Sequence, residues 1–251
     1  MKTVNCFDDH APKNEWLQEF FSKLDEFIES NTLGPNMFTH FKRFLRDANL
    51  LVGNKTTEFA KLLVDLGWET ETSLGLILTE LAFNNAQFEW YIANMDIGAG
   101  YESTMLKNIL VEHDMKDKAA SSIVKSFKRI TNTVFGTNLE FGYVVDDVFY
   151  RQKCRISDSR VLLYALYKFN QKCNLNGEFS VYSLYDEEVE RDGLSPIRIF
   201  GLYDEDELRA MLKGLSAKYP EFINATFTND LQSIILRDKT PEDVLKLFVE
   251  D

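Results

Sequence analysis

The sequence predicts a mainly α-helical α+β protein with short β-hairpins. Leu, Phe, Trp and Ile recur every three or four residues over long stretches, the mark of helices with one buried face. In two places alternating apolar residues flank a polar pair able to turn, the mark of paired strands. Pro and Gly are scarce, at 5 and 12 of 251 residues, so few points break the regular structure. Apolar residues make up 45% and charged residues 27%, ordinary globular proportions. With 20 Phe, 10 Tyr and 3 Trp the chain can fill one large core or two small ones.

Residues 1–13 are polar and acidic and are expected to be a tail. Trp16, Leu17, Phe20, Phe21, Leu24, Phe27 and Ile28 then follow helical spacing, with Asn14 as N-cap and Thr32-Leu33-Gly34-Pro35 as terminator. A second helix over 37–48 turns Phe38, Phe41 and Leu45 inward, with Phe44 as a further candidate. Leu50-Leu51-Val52-Gly53-Asn54 is a strand and turn, and 57–66 a further helix, an order that suggests a winged-helix unit. Residues 71–95 are rich enough in Leu, Phe, Trp and Tyr to form one or two buried helices, broken by Ile97-Gly98-Ala99-Gly100. Helices over 102–112 and 116–134 follow. Phe141, Tyr143 and Val145 alternate, Asp146-Asp147 can turn, and 148–156 returns, which makes a hairpin. Ser157 or Asp158 caps a helix reaching Lys172.

A soft boundary near 175–178 divides a helical domain (14–175) from a helix-hairpin-helix subdomain (176–251), again winged-helix-like. Residues 179–190 hold a short element and Gly193-Leu194-Ser195-Pro196 interrupts the chain. A helix over 204–217 opens on acidic residues suited to the positive end of its dipole. Two strands flank Asn229-Asp230, a two-residue hairpin turn, with Ile223, Ala225 and Phe227 alternating toward one packed face. Thr240-Pro241-Glu242-Asp243 is a capping box with Pro at the first helical position.

Composition excludes several classes. No apolar run approaches the roughly 18–20 residues of a membrane span, and the start has no signal-peptide pattern. Cys6, Cys154 and Cys173 have no paired spacing, which fits reduced thiols in a cytoplasm. The net charge of −12 argues against wholesale nucleic-acid binding. The charge is uneven, however: residues 115–175 hold 11 Lys or Arg and 5 Asp or Glu, against 17 and 35 elsewhere.

No catalytic residue, metal site or cofactor is expected. There is no phosphate-cradling glycine loop, because Gly98-Ala99-Gly100 lacks a third glycine and follows a helix. His10, His40 and His113 are scattered. Neighbours Glu112, His113 and Asp114 diverge by about 100° on a helix and cannot close on one ion. Acidic neighbours such as Asp146-Asp147 and Glu187-Glu188 are expected to be solvated. The binding candidates are basic. Lys118, Lys125 and Arg129 share one face of their helix with Lys128 beside them, and Arg151, Lys153 and Arg155 alternate along the following strand. Two basic rows on adjacent elements could contact phosphates; a solvated face balanced by the acidic remainder is the plainer alternative.

The C-terminal half carries a series in fixed order: Leu163-Tyr164-Ala165-Leu166-Tyr167-Lys168-Phe169, Asp192-Gly193-Leu194-Ser195-Pro196, Ile199-Phe200-Gly201-Leu202, Tyr219-Pro220-Glu221-Phe222-Ile223, Phe227-Thr228-Asn229-Asp230-Leu231 and Thr240-Pro241-Glu242-Asp243-Val244-Leu245. This resembles the C-terminal region of bacterial phosphoadenosine phosphosulfate reductase-like proteins. Asn31-Thr32-Leu33-Gly34-Pro35, Phe41-Lys42-Arg43-Phe44-Leu45 and Trp90-Tyr91-Ile92 extend the likeness over most of the chain. Members of that family carry a nucleotide-binding domain with a Ser-Gly-Gly phosphate loop that has no counterpart here, so reductase activity does not carry over. The resemblance implies a setting in bacterial defence or DNA sulfur modification. Two expectations follow: a non-catalytic module docking on a nucleotide-binding sulfur-transfer or defence enzyme, or a winged-helix nucleic-acid-binding module using the basic rows.

Overall fold

The structure is a computed structural model that describes residues 4–187, 191–228 and 232–249. It is 56% helical with small antiparallel sheets of two or three strands, the α+β class expected. Contacts divide the chain into two compact units, residues 1–155 and 156–251. The division falls before the expected boundary near 175–178, because the helix beginning at Ser159 packs on helices of the C-terminal unit.

The first unit begins with α1 (Asn14–Lys23), a 3-10 turn (Leu24–Glu26), α2 (Phe27–Ser30) and α3 (Pro35–Asp47). The single helix expected here is interrupted at Leu24, which takes a left-handed φ of 48°. A two-residue hairpin, β1 (Leu51–Val52) and β2 (Lys55–Thr56), leads to α4 (Glu58–Asp65), capped by the Thr57 hydroxyl. Next come α5 (Glu71–Asn84) and α6 (Ala86–Asn94), separated by Asn85, whose side chain caps α6. From Ser73 to Phe83 every residue of α5 is buried, as its all-round apolar sequence requires. β3 (Gly100–Glu102), α7 (Ser103–Glu112), α8 (Asp117–Thr131), α9 (Val134–Thr137), β4 (Gly142–Val145) and β5 (Val148–Arg151) complete the unit. The three strands pair antiparallel in the order β3-β5-β4, and the turn residues Asp146 and Asp147 both have positive φ.

Aromatic packing holds this unit together. Ring contacts run without a gap from Phe20 through Phe27, Phe41, Phe44, Phe135, Phe88, Phe141 and Phe127 to Phe149, with centroids 5.6–6.2 Å apart. The described part of the expected polar tail belongs to this core: Cys6, Phe7 and Ala11 are buried, and Phe7 packs against Phe44 and Phe88. The three apolar residues sit among Asp8, Asp9, His10 and Lys13 without a regular period, so the segment passes for a tail in sequence. Asn14 also has a different role from the one expected. Lys13 holds the N-cap position of α1, while the Asn14 side chain accepts from the Val134 amide at the start of α9. A buried polar group joins the layers: Gln87 accepts from the Cys6 amide and donates to Tyr91 and Ser126, and Tyr91 donates to the Ile123 carbonyl.

The second unit is α10 (Ser159–Cys173), β6 (Glu178–Ser180), a 3-10 turn (Val181–Leu184), α11 (Pro196–Phe200), α12 (Glu205–Lys218), β7 (Ile223–Phe227), β8 (Gln232–Leu236) and α13 (Pro241–Lys246). β8 lies between β6 and β7, antiparallel to both. The expected Asn229-Asp230 turn lies outside the described residues, as does Glu188. Asp158 caps α10, and Asn174 closes it in the left-handed conformation. Gly201, at φ 73°, ends α11 and lets the chain swing into α12 within four residues. The capping box at Thr240 and Asp243 forms in both directions. Tyr167 of α10 fixes the sheet by donating to the carbonyls of Phe222 and Arg237 at 2.7 and 3.1 Å. Phe227 is half-buried, so it does not join the packed face expected for it.

Candidate interaction surfaces

The basic candidates of the first unit separate into three groups. On α8 the apolar stripe Ala120, Ile123, Val124, Phe127 and Ile130 is buried. Lys118 and Lys125 are exposed on the opposite face and make no ion pair among the described residues. Arg129 and Lys128 are drawn to carboxylates of the same unit, Arg129 to Asp9 at 3.9 Å and Lys128 to Asp147 at 3.5 Å. Arg155 is likewise placed between Glu71 and Glu140, at 3.2 and 3.8 Å.

Arg151 corrects the expectation outright. It is 1% exposed, and its Nη1 donates to the carbonyls of Ile92 and Met95 at 2.8 and 3.0 Å. These carbonyls belong to the end of α6, whose acceptors lack partners within the helix. Arg151 is therefore a buried C-terminal cap for α6. Lys153 is exposed but follows the end of β5, so the three residues do not form one strand row.

The second unit has a cleft that the sequence did not announce. It is a shallow recess of roughly 10 Å³, about the room of one water molecule, lined by Val181, Tyr182, Tyr185, Glu205, Arg209, Phe227 and Gln232. Three segments supply it: the 3-10 turn, the first two turns of α12 and the β7–β8 hairpin. Tyr182 is 62% exposed, and its hydroxyl accepts from the Gln232 amide at 3.3 Å. The guanidinium of Arg209 and the ammonium of Lys213, one helical turn apart, both lie 5.6 Å from the Phe227 ring centroid. Among the described residues, Arg209 Nε and the Tyr185 hydroxyl are buried atoms without a hydrogen-bond partner. Burial pushes the Tyr185 hydroxyl pKa up, and nearby Glu205 and Asp204 push it further. Above the cleft α12 opens on Asp204, Glu205 and Asp206, all exposed, and Asp204 caps the helix by accepting from the Glu207 amide. No sequence pattern links 182, 209, 227 and 232; pairing of β6, β8 and β7 brings them together.

Two crystal structures share this architecture. The chain is similar in fold to SspB. One structure is described as magnesium ion-bound SspB (TM-score 0.73, 15% identity) and the other as SspB (TM-score 0.70, 16% identity). In both cases the likeness covers 100% of this chain and 87% of the SspB chain, so it includes both units. No protein-family model matches the chain, and no curated protein matches it in sequence.

The remaining reactive groups of this SspB-like fold are distributed as follows. No group of three or more His, Cys, Asp or Glu side chains among the described residues is placed to hold a metal ion. Glu112, His113 and Asp114 are exposed at the end of α7. His10 and His40, far apart in sequence, have ring centroids 5.6 Å apart, with Asp9 3.5 Å from His10. Burial raises the pKa of all three thiols, that of Cys154 to about 12. No described helix is long and apolar enough to cross a membrane.

Proposed function

We propose that the chain is an accessory protein without an active site of its own, and that it acts by docking on a partner protein. In this reading the C-terminal unit is a winged-helix module that serves protein contact. Its element order supports the assignment: a helix, a strand, two helices joined by a short turn, and a hairpin whose second strand pairs with the first. In a winged-helix or helix-turn-helix protein that reads DNA, the second helix of the turn enters the major groove with its N-terminal residues. That position falls to α12.

One observation carries the reading. α12 carries Asp204 at its N-cap and Glu205, Asp206 and Glu207 in its first turn, where a DNA reader would meet bases and phosphates. Duplex DNA presents one negative charge per roughly 1.7 Å of axis. The second unit as a whole has 11 Lys or Arg against 18 Asp or Glu, so its long-range field also repels a polyanion. In the first unit Arg151 is a buried cap, and Lys128, Arg129 and Arg155 stand beside their own carboxylates.

The sequence resemblance to phosphoadenosine phosphosulfate reductase-like proteins supplies the partner class: a nucleotide-binding sulfur-transfer or defence enzyme, encoded beside this chain in a bacterium and acting with it in the cytoplasm. The test is direct. The enzyme encoded by the adjacent gene should form a stoichiometric complex with the purified chain in size-exclusion chromatography and calorimetry. No complex at tens of micromolar, together with turnover of a sulfonucleotide by this chain alone, would overturn the proposal. A nucleic-acid-binding role is the second reading. Lys118 and Lys125 favour it, as exposed cations seven residues apart on α8 with no ion pair among the described residues.

A further inference from the structure

We propose that Asn176 is a site of covalent modification, at which water replaces the side-chain amide, and that Asn170 guards it by holding the main-chain N–H of Gly177. Asn176-Gly177 is the one Asn-Gly pair in the sequence. It lies in the turn between α10 and β6, with Asn176 exposed at φ 55° and Gly177 at φ 78°. Because glycine has no Cβ, nothing on residue 177 hinders the approach of its nitrogen to the asparagine side chain.

The chemistry is intramolecular. The Gly177 nitrogen attacks Cγ of Asn176 and a C–N bond forms. The side-chain amide leaves as ammonia, taking the proton that the Gly177 nitrogen gives up. Water then opens the five-membered imide at either carbonyl and leaves an aspartate or an isoaspartate. In sum one water is consumed and one ammonia released, with no oxidation or reduction and no co-reactant besides water.

The fold holds the attacking nitrogen back. Its N–H donates to Asn170 Oδ1 at 2.8 Å, and Asn170 sits in the last turn of α10. Attack requires that nitrogen to lose its proton, and a hydrogen bond made by the protonated form opposes the loss. The turn is also tied to β8. The Gly177 carbonyl accepts from the Leu236 amide at 2.7 Å, and the Leu236 carbonyl oxygen lies 3.1 Å from the place a Gly177 Cβ would take. Ring closure therefore waits on local opening of the turn, and its rate follows the population of the opened form. The isoaspartate product adds one main-chain carbon between α10 and β6, which works against the pairing of β6 with β8. Either product adds a carboxylate to a unit with 18 Asp or Glu against 11 Lys or Arg.

The experiment incubates the folded full chain, the same chain in guanidinium chloride, and the variants Asn170→Ala and Asn170→Asp in mildly alkaline buffer made with heavy-oxygen water. Mass spectrometry with peptide fragmentation follows the label at residue 176, and circular dichroism verifies the fold of each variant. Label should enter residue 176 more slowly in the folded wild type than in the unfolded chain. Asn170→Ala removes the acceptor and should raise the folded-state rate roughly fivefold, the factor that one ordinary hydrogen bond supplies. Asn170→Asp keeps an acceptor and makes it a charged one, so its rate should stay at or below that of the wild type. No label at residue 176 even in the unfolded chain, or equal rates for folded and unfolded wild type, would overturn the proposal. So would an unchanged rate in Asn170→Ala, or a raised rate in Asn170→Asp, at wild-type dichroism. Where Asn170→Ala does not keep the fold, the Asn170→Asp comparison decides.

Discussion

Replacing Arg151 by Met separates a buried cap from a surface cation. Met retains much of the side-chain volume but removes both hydrogen bonds from Nη1 to the carbonyls of Ile92 and Met95. Each acceptor then loses that donor, and a buried acceptor that loses its partner costs roughly 1–3 kcal/mol. A loss of about 3 kcal/mol is the lower-middle expectation for the pair. At about 2–4 °C per kcal/mol for a unit of this size, the thermal midpoint should fall by about 6–12 °C. The assay isolates the right unit, because Trp16, Trp68 and Trp90 all lie within residues 1–155. Tryptophan fluorescence in urea and on heating therefore follows the first unit alone. Lys153→Met is the control and should stay within about 0.5 kcal/mol of wild type, as exposed substitutions do. A loss below about 1 kcal/mol for Arg151→Met would refute the cap.

Phe127→Ala should cost about 3–5 kcal/mol, since that ring is fully buried against Tyr91 and Phe149; Phe227→Ala, on a half-buried ring, should cost less than about 2 kcal/mol by circular dichroism in urea. Toward Ellman's reagent, Cys6 and Cys154 should stay silent until the chain unfolds, while Cys173, half-buried and held at 3.7 Å from the Gly193 carbonyl, should be labelled first. Thr240→Ala should cost about 1 kcal/mol as a lost cap. Asp243 is held at a pKa of about 2 by its hydrogen bond from Lys246 and by the Thr240 amide. Because the folded value lies below the unfolded one, its stabilisation is complete above the ordinary carboxylate range and disappears as pH falls toward about 2. Asp243→Asn should remove that part of the acid dependence, read from urea midpoints between pH 5 and 2.

The elements that rest on local signals were legible in sequence. Helical spacing located α3, α8, α10 and α12; Asp158 was one of the two caps expected for α10, and the Thr240 capping box marked the start of α13. Asp146-Asp147 made the hairpin turn that two consecutive left-handed residues allow. What escaped depends on distant partners. Arg151 reads as a surface cation because its acceptors lie 56 and 59 residues away. Cys6 and Phe7 read as tail because only the fold supplies Phe44 and Phe88. The cleft is assembled by pairing β8 with β6 and β7, and no periodicity encodes that meeting.

Whether the chain contacts protein or nucleic acid is decided by a titration at low salt. The full chain should be titrated with unrelated fluorescent duplexes and single strands at about 50 mM salt, where electrostatic association is strongest. The expected result is no saturable binding, because α12 opens on carboxylates and most basic candidates are already paired or buried. Saturable binding that weakens steeply with salt, and disappears in Lys118→Glu/Lys125→Glu with the melting curve unchanged, would contradict the account and make α8 a phosphate-binding surface.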